Sequence, residues 1–257
     1  MREDSFCEYL KWDSEFFGIN IARALPSRLS QKVRDAIEQK CRAENIDCVY
    51  FLADADDPET ARVAEATGFN MVDIRVTLKR RILNQIPESS LTPSDGLVRP
   101  ATREDLTNVR LIARHSHRDS RFYFDVNFSH AKCDLLYETW IQNSCSGCSD
   151  AVFVAEHQQR ASGYITCNRL DEHTGQIGLF AVDGPAQNLG FGSALVCKAL
   201  RWFRDQGIED VEVVTQGRNV DAQRCYQRWG FLTHRVQVWY HWWSSPEIRP
   251  RKSLPLT

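Results

Sequence analysis

The sequence predicts an α/β fold in which a mixed, twisted sheet is flanked by helices. Short β-branched strands alternate with helical patterns along the chain. One apolar strand, Ile177 to Val182, runs into a glycine-containing loop and then a long helical pattern. A strand, helix and strand over residues 49–79 also recur, without a gap, over residues 211–243. These three observations together favour a sheet built partly by internal duplication.

Composition narrows the class of protein. The chain has 257 residues, 42% of them hydrophobic and 26% charged, which is enough apolar material for a substantial core. The formal net charge of −2 gives no basic footprint for nucleic acid. No apolar run approaches 18 residues and the N-terminus lacks a signal-peptide pattern, so we expect no membrane span. Nine scattered cysteines, an odd number, favour reduced thiols and a cytoplasmic location.

Residues 1–83 are predicted to form a first, smaller half-domain. Its strand at 49–53, its helical segment from Asp57 and its Gly68-Phe69 pair parallel 211–215, Asn219 and Gly230-Phe231. The half-domain lacks a glycine loop, and Ala64 stands where the later copy has Tyr226. We therefore expect it to be structural or to shape a substrate site. Its aromatic segment 12–19 is predicted to be a hydrophobic plug.

A linker and a larger domain follow. Residues 84–96 are polar and proline-containing, which is typical of a linker. In the domain at 97–243 we expect a strand at 97–100 and a helix that begins at Thr102, where Asp105 three residues on comes close to a capping box. A second helix should start near Ser129, and strands at 151–156, 161–168 and 176–182 should form a meander. Residues 244–257 are predicted to be a flexible tail.

The loop after Val182 has the chemistry of an anion site. It ends in Gln187-x-x-Gly190-x-Gly192, and glycines allow a tight turn and close approach of the backbone to a bulky anion. The helix that follows would direct unpaired N–H groups and its positive dipole end at that anion. The pattern is neither a Walker loop nor a dinucleotide fingerprint. A tight strand-to-helix turn without a ligand is the alternative.

A second motif lies downstream. Asn219, Ala222, Tyr226 and Trp229 recur at helical spacing, and Gly230 stands where a left-handed helix cap belongs. The two motifs occur in the order and spacing of the GCN5-related N-acetyltransferase (GNAT) family, which residues 97–243 resemble. The departures are Gln187, where many members have Arg, and the Gly184-Pro185 kink. The resemblance implies a GNAT fold preceded by a truncated GNAT-like half-domain, with acetyl-CoA as cosubstrate.

The resemblance also implies roles for particular residues. Tyr226 would be the catalytic proton donor, since a phenol stays protonated at neutral pH and can protonate a departing thiolate. The general base stays open among His117, Asp125, His241 and a water chain. A core-packing role is the alternative for Tyr226. The coenzyme-binding residues would be Ala181, Val182, Gln187, Asn188, Leu189, Gly190, Phe191, Gly192, Ser193, Asn219 and Tyr226.

The identity of the acetyl acceptor is inferred separately. The whole chain resembles two-domain family members of surface-polysaccharide synthesis that acetylate nucleotide-linked amino sugars, which implies a dTDP-linked 4-amino-4,6-dideoxyhexose. Arg121 and Tyr123 are the candidate substrate contacts, with a surface Arg and a packing Tyr as the alternative. Peptide acetylation and a non-catalytic acyl-CoA sensor remain open, as does a homodimer. A single Cys145-x-x-Cys148 predicts an exposed turn, and no metal site is expected.

Overall fold

The computed structural model describes residues 6–82 and 98–245. The predicted linker at 84–96 and all of the predicted tail except residues 244 and 245 lie outside these ranges. The helices are α1 Lys11–Phe17, α2 Gln31–Glu44, α3 Pro58–Ala66, α4 Leu106–Ser116, α5 His130–Asn143, α6 Phe191–Asp205 and α7 Val220–Arg228. The strands are β1 Cys7–Tyr9, β2 Ile21–Ala24, β3 Cys48–Asp54, β4 Phe69–Arg81, β5 Val98–Pro100, β6 Ala151–His157, β7 Arg160–Arg169, β8 Thr174–Val182, β9 Asp210–Gln216 and β10 Leu232–Trp243. The predicted α/β class, with mixed sheet and flanking helices, is confirmed.

The described residues divide into two compact units that are each assembled from separate stretches of chain. The first unit contains residues 6–75, 120–132 and 236–245. The second contains residues 76–82, 98–119 and 133–235. Strands β4 and β10 therefore each begin in one unit and end in the other.

The first unit has the strand order β1-β2-β3-β10-β4. Strands β2 and β3 are parallel, whereas β10 runs antiparallel to β3 with Tyr240 opposite Phe51. Helix α2 contributes buried Ile37 and Cys41 to its core. The predicted plug at 12–19 is itself helix α1, whose Phe17 packs on Phe128 with ring centroids 4.5 Å apart.

The second unit has the strand order β4-β9-β8-β7-β6-β5. Strands β6 to β8 form the predicted antiparallel meander, β5 pairs antiparallel with β6, and β8 pairs with β9 in parallel. Helix α6 buries an apolar face here. Leu195, Ala199 and Phe203 recur at helical spacing and all belong to the core of this unit. The predicted capping box of Thr102 and Asp105 is present before α4.

The internal repeat reappears in the secondary structure. Strands β3 and β9 are both seven residues long, and helices α3 and α7 are both nine. Each helix starts from a residue whose side-chain oxygen accepts an N–H three positions on: Asp57 from Thr60, and Asn219 from Ala222. The same N-cap geometry thus survives although the cap residue differs.

Two further features of the described chain are the state of its cysteines and the length and apolar character of its helices. All nine cysteines are free thiols. Over residues 6–82 and 98–245, none of the helices combines the length and the apolar character that a membrane crossing needs.

Candidate active site

An open cleft of about 1310 Å³ lies in the second unit. The end of β8, the loop after it, the start of α6, the exposed face of α7 and the end of α4 form its walls. This volume exceeds the roughly 300–1,000 Å³ of ordinary small-molecule sites, so the cleft suits a long ligand. Its lining residues are His115, Ser116, His117, Asp119, Phe180, Ala181, Val182, Asp183, Gly184, Pro185, Gln187, Asn188, Gly192, Asn219, Asp221, Ala222, Arg224, Cys225, Gln227 and Arg228.

One edge of β8 is open along this cleft. The pairing of β8 with β9 ends at Ile177 opposite Val213, although β8 continues to Val182. On the other edge, the register between β7 and β8 shifts at this point, and the Thr166 hydroxyl accepts the Leu179 N–H at 2.8 Å. Backbone groups alternate between the two edges of a strand. The N–H groups of Phe180 and Val182 therefore face the open edge, where a ligand can continue the hydrogen-bonding pattern.

The predicted anion loop has the required backbone conformation. Asn188 and Gly190 have φ values of 63° and 89°, and the positive φ at Gly190 is one that glycine adopts without strain. The first helical bond runs from Ala194 N–H to Gly190 O at 3.0 Å. The N–H groups of residues 191–193 thus project from the helix start, as an anion site needs. Phe191 is buried and anchors this turn.

The neighbouring side chains of the loop have distinct surroundings. A Cβ added at Gly192 would lie 3.4 Å from Phe180 Cζ and 3.8 Å from Val182 Cγ2, so this glycine keeps the space beside the open strand clear. The Gln187 amide donates to Val182 O at 3.1 Å. Ser193 Oγ accepts the Trp229 indole N–H at 3.4 Å, and Leu189 is exposed.

Helix α7 forms the opposite wall. Asn219 caps it, with Oδ1 accepting the Ala222 N–H at 3.1 Å, and the residue also lines the cleft. The predicted cap at the other end is confirmed, because Gly230 has φ 76° and the Phe231 N–H bonds to Tyr226 O at 3.1 Å. Both caps fix where the side chains of α7 point.

Tyr226 lies in the wall beside the cleft and is 3% exposed. Its ring packs between Phe180 and Phe231, with centroid distances of 5.7 and 5.6 Å. Its neighbours Ala222 and Cys225 line the cleft. Burial raises the pKa of Tyr226 well above its usual value near 10, so the phenol is protonated at neutral pH. The side chain combines a packing role with a proton that it can donate.

The candidate bases fall into different surroundings. His117 belongs to the second unit and lines the cleft, where its Nε2 lies 2.7 Å from the Tyr164 hydroxyl oxygen. Asp125 and His241 belong to the first unit and pair with each other, His241 Nδ1 lying 2.7 Å from Asp125 Oδ2. Trp243 donates its indole N–H to the same carboxylate oxygen at 2.9 Å.

The candidate substrate contacts also belong to the first unit. The guanidinium carbon of Arg121 lies 4.2 Å from the ring centroid of Trp239 and 4.9 Å from that of Tyr50. A cation over aromatic faces is held in place by their negative quadrupoles. The ring of Tyr123 lies 5.4 Å from that of His130.

Sequence reasoning overlooked a basic pair in the cleft. Arg224 and Arg228 are four residues apart on α7 and both line the cavity. Spacing of four places side chains on one helix face, so the pair could have been recognised once the loop and α7 were assigned to one site. The Arg228 Nε donates to Arg224 O at 3.2 Å. The Arg224 guanidinium lies 4.0 Å from Asp221 Oδ1, and Asp119 and Asp183 also line the cleft, so its charge is mixed, with the two arginines as its cations.

The Cys145-x-x-Cys148 segment is an irregular π-helical turn that extends α5, with Gly147 at φ 106°. Cys148 is exposed and Cys145 is partly buried. No cluster of three or more His, Cys, Asp or Glu side chains with metal-site geometry occurs in the described part of the chain.

Comparison with known proteins identifies a matching family and similar sequences. Residues 113–231 match the acetyltransferase (GNAT) family. A dTDP-fucosamine acetyltransferase from Escherichia coli O6:H1 is 24% identical over 237 residues, which are 91% of this chain and 96% of that protein. A mycothiol acetyltransferase from Cellulomonas flavigena is 39% identical over 228 residues, 81% of this chain but 60% of that protein. The chain likewise spans 54 to 63% of the length of other curated relatives.

A solved structure shows the same fold. The GCN5-related N-acetyltransferase from Sphaerobacter thermophilus superimposes with a TM-score of 0.66 at 16% identity, covering 94% of this chain and 77% of that one. The open edge of β8, the start of α6 and helix α7 all lie within the segment that the family model matches. Residues 113–231 therefore match the GNAT acetyltransferase family, and the chain shares the fold of a solved GNAT structure.

Proposed function

We propose that this chain transfers an acetyl group from acetyl-CoA to the primary amine of a nucleotide-linked amino sugar. The observation that carries the acetyl-CoA part is the continuity of the cleft from the open edge of β8 to the start of α6. It presents unpaired strand N–H groups and helix-start N–H groups along one groove. A ligand with amides followed by a diphosphate matches that sequence of donors.

The residues fit such a coenzyme in a definite arrangement. The N–H groups of residues 188–193 would bind the diphosphate, and Phe180 and Val182 would bond to the pantetheine amides. Arg224 and Arg228 would add positive charge at the rim. Asn219 keeps its side-chain N–H₂ available for the arm, because its oxygen is used by the helix cap. Ala181 would contribute its side chain to the wall.

The transfer itself needs few groups. A neutral amine attacks the thioester carbonyl, a C–N bond forms, the C–S bond breaks, and the amine loses a proton. A backbone N–H on the open edge of β8 would stabilise the negative charge that develops on the carbonyl oxygen. Tyr226 would hydrogen-bond the departing sulfur and pass it the phenolic proton, and the proton that the amine loses would restore the phenol through water. No cysteine has to act as a nucleophile.

The acceptor is the finer part of the proposal. Its support is the near-complete coverage of the relative described as a dTDP-fucosamine acetyltransferase, together with the resemblance found over the whole chain. Arg121 would meet the phosphates through its fork of donors, and Tyr123 would cover the sugar. The enzyme would then be a cytoplasmic one of surface-polysaccharide synthesis, and its acceptor a 4-amino-4,6-dideoxyhexose linked to dTDP.

The decisive experiment measures thiol release from acetyl-CoA with a panel of acceptors. The panel contains dTDP-linked amino sugars, the acceptor of mycothiol acetyltransferases, peptides with free N-termini, and polyamines. We expect the highest kcat/KM with a dTDP-linked 4-amino sugar. Preference for a peptide or for the acceptor of mycothiol acetyltransferases would contradict the proposed acceptor but would still support an acetyltransferase. Tight acetyl-CoA binding without turnover on any acceptor would favour a sensor instead.

A further inference from the structure

His117 lies at the C-terminal end of helix α4 and has two fixed contacts. Its Nε2 lies 2.7 Å from the Tyr164 hydroxyl oxygen. Its ring stacks on Tyr137, with centroids 4.5 Å apart and planes 18° apart. The side chain also lines the cleft. Stacking and the hydrogen bond together fix the orientation of the imidazole.

The Tyr164 hydroxyl determines which ring nitrogen carries the proton. Tyr164 is fully buried, and burial raises its pKa well above the usual value, so its hydroxyl is protonated. Over the described ranges, the His117 ring is the hydrogen-bond partner of this hydroxyl. A buried hydroxyl hydrogen without an acceptor costs about 1–3 kcal/mol. The hydroxyl therefore donates to Nε2, and a neutral ring must then carry its proton on Nδ1.

The ring is neutral under ordinary conditions. Burial lowers the pKa of His117 to about 4, well below the usual 6.5. Nδ1 lies on the other side of the ring from the Tyr164 bond. It is absent from the set of buried polar atoms without a hydrogen-bond partner, so it is accessible. No hydrogen bond from Nδ1 occurs within residues 6–82 and 98–245. A neutral imidazole with a free N–H thus borders the cleft.

The position of the His117 N–H can be related to the open edge of β8 through Tyr164. Tyr164 pairs with Ala181 across β7 and β8, and paired residues direct their side chains to one face of a sheet. His117 therefore lies over the part of β8 whose outer edge is open. The diphosphate donors at the α6 start and the strand donors of β8 are separate groups. The N–H of His117 is a further donor, on the wall that α4 forms.

We infer that His117 is a positioning residue that donates a hydrogen bond through Nδ1–H to an oxygen of the acetyl acceptor. This inference rests on the proposed transferase function. It excludes His117 as the general base in this tautomer, because neither nitrogen offers a free lone pair: Nε2 accepts from Tyr164 and Nδ1 bears hydrogen. The amine proton must then leave by another route. Tyr164 acts through His117 by holding this tautomer.

Kinetic variants separate a donor from a base. In His117→Asn, combined with Tyr164→Phe so that no hydroxyl is left unpaired, the amide N–H₂ replaces Nδ1–H, and kcat/KM should stay within about threefold of wild type. His117→Ala should lose about tenfold, mainly as a higher acceptor KM, which is the loss expected for one neutral hydrogen bond. His173→Ala, at an exposed histidine that is not among the cleft-lining residues, is the matched control and should keep the wild-type kcat/KM. Losses of about 100-fold or more in both His117 variants would indicate a base and overturn the inference.

A tautomer measurement needs no acceptor. Nitrogen-15 NMR of the full chain with labelled histidines should show a neutral ring protonated at Nδ1, assigned as the signal missing from His117→Asn. Tyr164→Phe should reduce the population of that tautomer. A ring protonated at Nε2 in the wild type would overturn the inference. Absence of turnover on the whole panel would contradict the proposed function, and the NMR result would still decide the tautomer.

Discussion

Tyr226 illustrates how one residue can serve both packing and chemistry. Its ring fills the space between Phe180 and Phe231, while burial keeps the phenol protonated. Tyr226→Phe keeps the ring and removes the proton. We expect kcat to fall by about 10²–10⁴-fold with little change in acetyl-CoA affinity, because the hydroxyl acts mainly in the transition state. Steady-state kinetics and calorimetry measure the two effects.

A matched variant tests whether loss of a buried hydroxyl alone explains such a result. Tyr240 is also buried, 4% exposed, and belongs to the core of the first unit. Tyr240→Phe should leave kcat near the wild-type value. A Tyr226→Phe enzyme with wild-type kcat would reduce Tyr226 to a packing residue.

His241 makes stability depend on pH. Burial lowers its pKa to about 4, although the hydrogen bond to Asp125 opposes this shift. Between pH 6.5 and 4 the unfolded chain therefore binds a proton that the folded chain excludes, so the free energy of unfolding falls as the pH falls. His241→Asn should flatten this dependence by up to about 1.4 kcal/mol per pH unit in chemical denaturation.

The control for this measurement is a surface imidazole. The side chain of His173 is 70% exposed. We expect His173→Asn to keep the slope of the wild type between pH 5 and 6.5. Identical slopes for His241→Asn and the wild type would mean that His241 is protonated in the folded protein.

At the scale of elements, the start of α6 is the feature with the clearest steric test. Gly192 faces the gap beside Phe180 and Val182, and an alanine Cβ would be in ordinary contact there. Gly192→Ala should fold normally, whereas Gly192→Val should fill the gap and weaken acetyl-CoA binding at least tenfold. Gly190→Ala should weaken binding too, because its φ of 89° strains any residue with a Cβ.

A glycine at the other end of α6 separates backbone strain from lost binding. Gly207 has φ 78°, and a Cβ at this position would have no other atom within 4 Å. Gly207→Ala should lower the thermal midpoint about as much as Gly190→Ala and leave the Kd of acetyl-CoA unchanged. A Kd equal to that of the wild type in both Gly192→Val and Gly190→Ala would move the diphosphate away from this loop.

Local patterns were enough to predict most elements of the second unit and the loop at 187–193. Periodicity, the Thr102 capping box and the Gly230 cap act within a few residues, so the sequence displays them directly. The contacts of His117 with Tyr164, and of Arg121 with Trp239, join residues that are 47 and 118 positions apart. Such pairs depend on strand register and packing, which one sequence does not reveal.

The architecture of the whole chain shows the same limit. The repeat of strand and helix was visible in the sequence, but the assembly of the first unit from 6–75, 120–132 and 236–245 was not. Within that unit, β10 lies between β3 and β4, so the end of the chain completes a sheet that the start of the chain began. Tertiary pairing decides such an arrangement, and no local signal marks it.

This interleaving leads to a prediction about fragments. A fragment of residues 97–257 would retain Phe122 and Phe128 but lose their partner Phe17, and β10 would lose the pairing of residues 237–243 with β3. We expect this fragment to lack a cooperative thermal transition by circular dichroism and to bind a hydrophobic dye, because those apolar faces would be uncovered.

Cleaving the folded chain is the matched control for deleting its first part. If a protease site is introduced within residues 84–96 and the folded chain is cut there, both pieces still supply their parts of the first unit. The pieces should coelute in gel filtration and retain the acetyl-CoA affinity of the intact protein, since the packing of Phe17 on Phe128 and the β3–β10 pairing hold them together. A fragment 97–257 that unfolds cooperatively and binds acetyl-CoA like the full chain would instead establish it as an autonomous catalytic domain.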